Sequence, residues 1–233
     1  MRRGGNRPTP RNLGRRAALG DLDIRLAAGA RPILERELSP TEQAAFLTYM
    51  ELLLTWQRTY RLVGSSDRRW IIDELILDSL LFIRFLPARA GSVLDLGSGA
   101  GIPGIPLSIA RPTVRFTLLE ARRRRASFLG AAIRALELEN TEVIQLRAED
   151  ALDRRPELKA GFELVVSRCA GELQKVVRLA TPFLAAGGRL VVSGPPEPPE
   201  AHVPGRWMTV CHPSKAQPRT FFVLDSPENS PEA

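Results

Sequence analysis

The chain has 233 residues, 44% of them hydrophobic, which suits one sizeable domain with an appendage or two small domains and excludes global disorder. No apolar run approaches the ~20 residues needed to span a bilayer. Two cysteines (Cys169, Cys211) and two histidines (His202, His212) make neither a disulfide framework nor a metal cluster, so no metal, no membrane and a reducing cytoplasmic setting are expected. The net charge of +7 favours an acidic partner, nucleic acid first. An arginine-rich composition with only Lys159, Lys175 and Lys215 as lysines also fits a bias of the genome.

Residues 1–38 open with Arg2, Arg3, Arg7, Arg11, Arg15 and Arg16 and no acid before Asp21, the pattern of a flexible basic arm. A short helix is expected within it, over Asp21–Glu37. Residues 39–87 predict a helical cap. Ser39-Pro40-Thr41-Glu42 is a helix start: Ser39 as N-cap, Pro40 in the first turn, Glu42 closing a capping box. Phe46, Leu47, Met50, Leu53 and Leu54 carry the helix toward Tyr60, with Trp56 and Tyr60 as packing residues and Gly64 as its end. A second helix is expected over Arg68–Phe85, and Pro87 and Gly91 mark a boundary.

From residue 88 to 225 strands alternate with helices, the pattern of an α/β domain with a mostly parallel sheet; residues 226–233 are expected to be a disordered tail. Strands are predicted at Val93–Leu96, Arg115–Glu120, Glu142–Leu146, Glu163–Ser167 and Arg189–Val192. Helices are predicted at Ile105–Ala110, Arg124–Leu138 and Leu173–Leu184, with a short turn over Ala151–Leu158. The proline-rich stretch Gly194–Pro204 cannot be a helix interior, and Trp207–Cys211 with Thr220–Leu224 close the sheet as a hairpin-like pair.

The stretch VLDLGSGAGIPGIP, residues 93–106, carries the chemistry. A buried strand runs into a turn punctuated by Gly97, Gly99 and Gly101, which allow positive φ and close approach of a ligand to the backbone. Gly99 to Gly104 also satisfies the dinucleotide pattern G-x-G-x-x-G. Asp95 opposes that reading, since a carboxylate before the turn suits a cationic ligand, and S-adenosylmethionine carries an ammonium and a sulfonium but no phosphate. Glu120 ends the second strand, where a carboxylate accepts from ribose hydroxyls. Ala148-Glu149-Asp150 and Ser167-Arg168 fall at the same carboxyl edge of the sheet, where backbone groups and an acid can read an adenine and an arginine can hold a phosphate or base edge.

With these residues in place, VLDLGSGAGIPGIPLSIARP, FTLLEARRRRASFL, LRAED, SRCA and GGRLVV resemble the glucose-inhibited division protein B family, the small-subunit ribosomal RNA methyltransferases G. LLLTWQRTYRLV and LDSLLF are similar to its leading helices, and the likeness covers roughly residues 41–194. The resemblance implies a class I S-adenosylmethionine-dependent methyltransferase, Rossmann-like, with an N-terminal helical extension. It implies S-adenosylmethionine as methyl donor and guanine N7 of small-subunit (16S) ribosomal RNA, free or in the 30S particle, as acceptor. It places cofactor contacts on Gly97, Ile102, Ala148, Glu149 and Arg168, with Glu120 standing for the family's acid after the second strand.

Guanine N7 is a lone-pair nucleophile with no proton to remove, so no catalytic residue is expected beyond orientation, with Arg168 available to position substrate. Arg122 to Arg125 lie beside the cofactor edge and can bind phosphates. This chain departs from the family where Arg61 replaces Asn, Val63 replaces Thr, Leu75 replaces His and Ser193 replaces Lys. Those substitutions leave two alternatives open: a degenerate member that binds RNA or cofactor without turnover, and a methyltransferase with a different RNA acceptor.

Overall fold

Short apolar runs bounded by glycine, proline and charge become strands buried on both faces, because helices cover the sheet on either side. The computed structural model describes residues 10–87, 90–168, 172–195 and 203–227. Seven strands, β1 Ser92–Leu96, β2 Arg115–Leu119, β3 Thr141–Ile144, β4 Phe162–Arg168, β5 Leu184–Ser193, β6 Arg206–Val210 and β7 Arg219–Asp225, form one sheet in the order β3-β2-β1-β4-β5-β7-β6. The first five are parallel; β7 runs antiparallel between β5 and β6. The chain builds outward from β1 through β2 to β3, then returns to place β4 on the other side of β1. That reversal opens a crevice at the carboxyl ends of β1 and β4.

Side chains of β1 alternate between the two cores. Val93 joins the one beneath the N-terminal helices and the helices Gly104–Ala110 and Arg123–Ala135, while Leu94 and Leu96 join the one beneath Leu173–Ala180. The N-terminal helices therefore share a continuous core with the sheet.

The first helix departs from expectation. In place of an arm through residue 18 and a short helix after it, α1 runs Pro10–Leu34. Leu22, Leu26, Ala30 and Ile33 recur at helical spacing and are all buried. Gly29 lets α1 press onto Leu77: a Cβ at Gly29 would stand 2.3 Å from Leu77 Cδ1. Arg25 Nε then reaches Asp73 at 2.9 and 3.1 Å. Burial of this stripe, invisible without its partner helix, fixes the C-terminal half of α1 against the rest of the fold. The arginines of residues 1–9 lie outside the described residues.

α2, Pro40–Tyr60, starts as predicted, with the complete capping box of Ser39 and Glu42. It ends at Arg61, which adopts a left-handed φ of 46°, three residues before the expected Gly64. Gln57 fixes the exit by bonding Val63 through both its amide groups, at 2.7 and 2.9 Å. The helical run over 68–85 is present but not uniform: α-helical at Arg68–Trp70 and Asp78–Leu80, a π-helix at Ile71–Leu77 and 3-10 at Leu81–Phe85. The wider π turn leaves carbonyls available to side chains from elsewhere in the fold.

Element ends elsewhere shift by a few residues, and Ala148–Arg154 is a helix followed by a 3-10 turn at Pro156–Leu158. The closing hairpin-like pair is β6 and β7. Residues 196–202, 228–233, Cys169 and His202 lie outside the described residues. Among the described residues no helix is long and apolar enough to cross a membrane, and no cluster of three or more His, Cys, Asp or Glu side chains is placed to hold a metal ion.

Candidate cofactor and acceptor cleft

The glycine turn follows β1 with φ of 77°, 58° and 85° at Gly97, Gly99 and Gly101. A side chain at Gly101 would also strike Ile105, whose Cδ1 lies 2.5 Å from the Cβ position. Backbone bonds pin the turn to β2, Gly97 N and Ser98 N both donating to Leu119 O at 2.9 and 3.1 Å. Glu120 completes the latch. Its Oε2 accepts from Gly99 N at 2.8 Å and its Oε1 from Arg122 N at 2.7 Å. Each carboxylate oxygen keeps a further lone pair. From the other side, buried Tyr49 of α2 donates its hydroxyl to Ala100 O at 2.7 Å.

Asp95 lies beneath the turn, fully buried, and not on the wall of the cleft. Its Oδ2 accepts from Gly104 N at 2.9 Å, and its Oδ1 has no hydrogen-bond partner. Burial, opposed by the Gly104 and Ser98 hydrogen bonds and aided by nearby Glu120, pushes its carboxyl up to about 7.

A cleft of about 490 Å³ opens above the turn. Gly97, Ser98, Gly99 and Ala100 form one wall; Leu62, Val63, Gly64 and Leu75 form the other; Ile102, Glu120, Arg122, Arg125 and Arg168 complete it. The structure thus brings together five sequence-predicted residues: Gly97, Gly99, Ile102, Glu120 and Arg168. Gly101 sits under the turn against Ile105 and Leu129. Ala148 and Glu149 open the helix after β3 away from the cleft lining, and Glu149 pairs with Lys175 at 3.3 Å.

Arg168, at the end of β4, is tied to the π-helix: its Nη2 donates to Glu74 O at 2.7 Å and lies 3.4 Å from Asp78 Oδ2. Its Nη1 is buried with no hydrogen-bond partner. Asp78 has no exposed side-chain surface and gathers two further cations, Arg219 Nε at 2.6 Å and Lys215 Nζ at 3.5 Å. Arg219 Nη2 also donates to Ser193 Oγ at 3.0 Å, and Lys215 binds Glu74 at 2.6 Å. Nearby, buried His212 places Nε2 3.2 Å from Asp73 O; burial, with Lys215 beside it, lowers its pKa.

This network left little trace in the sequence because it joins residues roughly 90 to 140 positions apart. The one local signal was Asp78 itself, a carboxylate inside an apolar helical run. Tyr49 carried no signal at all.

A seven-stranded, mostly parallel sheet with an antiparallel β7, a glycine turn after β1 and a carboxylate closing β2 defines a Rossmann-like class I S-adenosylmethionine-dependent methyltransferase. The fold is shared with cofactor-bound Rv0187 from MTB, at a TM-score of 0.56 and 19% identity over 96% of this chain and 100% of that one. It is shared too with the O-methyltransferase TomG from Streptomyces achromogenes, at 0.51 and 17% over 78% and 89%.

The chain belongs to the GidB family, rRNA small subunit methyltransferase G, whose model matches residues 42–198. It is 33% identical to the ribosomal RNA small subunit methyltransferase G of Chloroflexus aggregans, over 80% of this chain and 83% of that protein. To the enzyme of the same name from Xanthomonas euvesicatoria it is 35% identical over 79% and 87%.

Proposed function

We propose that the protein methylates guanine N7 of small-subunit ribosomal RNA, as the free RNA or within the 30S particle, in the cytoplasm where that RNA is made. When bound, S-adenosylmethionine supplies an electrophilic methyl group on a sulfonium. The cleft suits it: backbone can approach at Gly97, where a Cβ would meet nothing within 4 Å, and a buried carboxyl with an unpartnered oxygen lies beneath. Gly97, Gly99, Gly101 and Ile102 shape the pocket. Glu120 offers its remaining lone pairs to ribose hydroxyls. Asp95 supports the turn and supplies negative potential for a cation. Ala148 and Glu149 stand outside the cleft lining, at the start of the helix after β3, as the candidates for the adenine side, and Arg168 orients ligand from within the cleft.

One observation carries the acceptor assignment. Among the described residues Glu120 is the only carboxylate lining the cleft, and both its oxygens are engaged by backbone N–H groups. Among the described residues no lining side chain is a free general base, and an acceptor with a lone pair already exposed needs none; orientation suffices. The test is transfer of labelled methyl to unmodified small-subunit RNA, followed by nucleoside mass analysis. A 7-methylguanosine product is expected. Cofactor binding without transfer to any RNA would overturn the enzymatic reading, and another methylated nucleoside would overturn the guanine N7 assignment.

A further inference from the structure

The cleft leaves unexplained an exposed aromatic ringed by arginines at its mouth. Sequence spacing placed Tyr60 among packing residues, yet at the end of α2 it is 41% exposed. It is not loose. Its ring lies against Trp56, centroids 5.4 Å apart, and Trp56 meets buried Phe128 edge-on at 5.5 Å. The Arg124 guanidinium stands 5.8 Å from the Tyr60 centroid.

Arg58 and Arg61 flank Tyr60 in the chain, and Arg122 and Arg123 precede Arg124; all five are exposed. Among the described residues none of these five guanidinium groups forms an ion pair. Exposed arginines a few residues away do: Arg68 with Glu51 at 2.9 Å, and Arg69 with Asp21 at 2.6 Å.

This arrangement costs the isolated protein stability. Like charges crowd together, and Arg123, Arg124 and Arg125 open a helix at its positive dipole end. An anionic partner offsets both effects. A rigid exposed aromatic beside unpaired cations is the combination that binds single-stranded nucleic acid, stacking taking a base and the cations taking phosphates. An acidic peptide would use the charges and leave the ring idle; a duplex keeps its bases out of reach. The surface is continuous with the cleft, since Arg122 lines it and α2 leads directly into Leu62, Val63 and Gly64.

We propose that Tyr60 and Arg124, with Arg58, Arg61, Arg122 and Arg123, form a docking surface for an unpaired stretch of the substrate RNA. A base stacks on the Tyr60–Arg124 pair and the flanking arginines hold phosphates, which delivers the acceptor nucleotide to the cleft. This rests on RNA being the acceptor.

The test measures binding of the full-length protein to unmodified small-subunit RNA and to a short unstructured RNA across a salt series. Tyr60→Ala and Arg124→Ala should each weaken binding about tenfold, and Tyr60→Phe should keep wild-type affinity. The double variant Arg58→Ala/Arg123→Ala should flatten the dependence of log K on log salt by roughly one to two units. The arginine variants should not lower the melting temperature, and S-adenosylmethionine affinity should not change in any variant. Arg115→Ala, at the opposite edge of the sheet, should bind RNA normally.

Wild-type affinity and salt slope in the Tyr60→Ala and Arg124→Ala variants of an active enzyme would overturn the surface while leaving the methyltransferase reading intact. Equal competition by duplex RNA or by polyglutamate would overturn it as well. If the wild type binds RNA through these residues but methylates none, the surface stands and the acceptor reading falls.

Discussion

The two walls of the cleft are built from different chemistry. The glycine-turn wall is backbone: its shape comes from three positive φ angles, and its ties are N–H groups to Leu119 O and Glu120. The facing wall, from the end of α2 and the helix over 68–85, is side chain, with Leu62, Val63 and Leu75 presented to the cleft and Arg168 held by Asp78. A backbone wall survives substitution around it as long as the glycines remain. A side-chain wall changes with every replacement. The departures from the family pattern follow that division: Val63 and Leu75 line the side-chain wall, Arg61 caps the helix that leads into it, and Ser193 joins the network behind it.

The largest expected effect tests the network behind that wall. Asp78→Ala strips the buried carboxylate from among Arg168, Lys215 and Arg219 and leaves three partly buried cations facing each other. Loss of about 3–5 kcal/mol in urea unfolding is expected. A loss below about 1 kcal/mol would show that the network does not hold the wall in place.

The backbone wall is probed through Asp95. Its carboxyl keeps its proton to about 7 in the folded protein, whereas an unfolded aspartate releases it near pH 4. Between those values the folded state binds more protons, so stability from this group falls as pH rises through the window, by roughly 4 kcal/mol at most. Asp95→Asn removes that slope. Denaturation at pH 5 and pH 8 should show the wild type losing stability relative to the variant. A cation bound nearby favours the ionised carboxylate, so S-adenosylmethionine binding should release a proton near neutral pH, read by calorimetry in buffers of different ionisation heat.

Tyr49→Phe tests the bond between α2 and the turn. It leaves Ala100 O buried without its donor, at a cost of about 1–3 kcal/mol. Cofactor affinity should fall with it if α2 positions the turn; unchanged affinity would separate stability from positioning.

The smallest effect is at Arg61. A left-handed φ of 46° suits Asn better than Arg, which gives a backbone reason for the family's Asn at this position. Arg61→Asn should raise stability by up to about 1 kcal/mol in thermal melts. A loss would show that the arginine side chain contributes to the fold.

Local chemistry made the class legible. The glycine spacing, the strand before it and the carboxylate after β2 specify conformation and ligand type over short distances, because glycine is strongly favoured where φ is positive. The start of α2 was equally legible, since its capping box lies within four residues. The end of α2 was not: Arg61 takes a conformation that Gly64 was expected to supply.

What the sequence by itself determined was the alternation of strand and helix, the glycine turn with Glu120, and the family likeness. Each rests on residues close in the chain. Only the tertiary structure decided that α1 packs from Leu22 onward, that Asp95 faces Gly104 beneath the turn, that Tyr60 is exposed beside Arg124, and that Asp78 gathers Arg168, Lys215 and Arg219. These depend on which distant groups burial brings together. A buried charge must find partners wherever the fold places them, and their separation along the chain leaves no local trace.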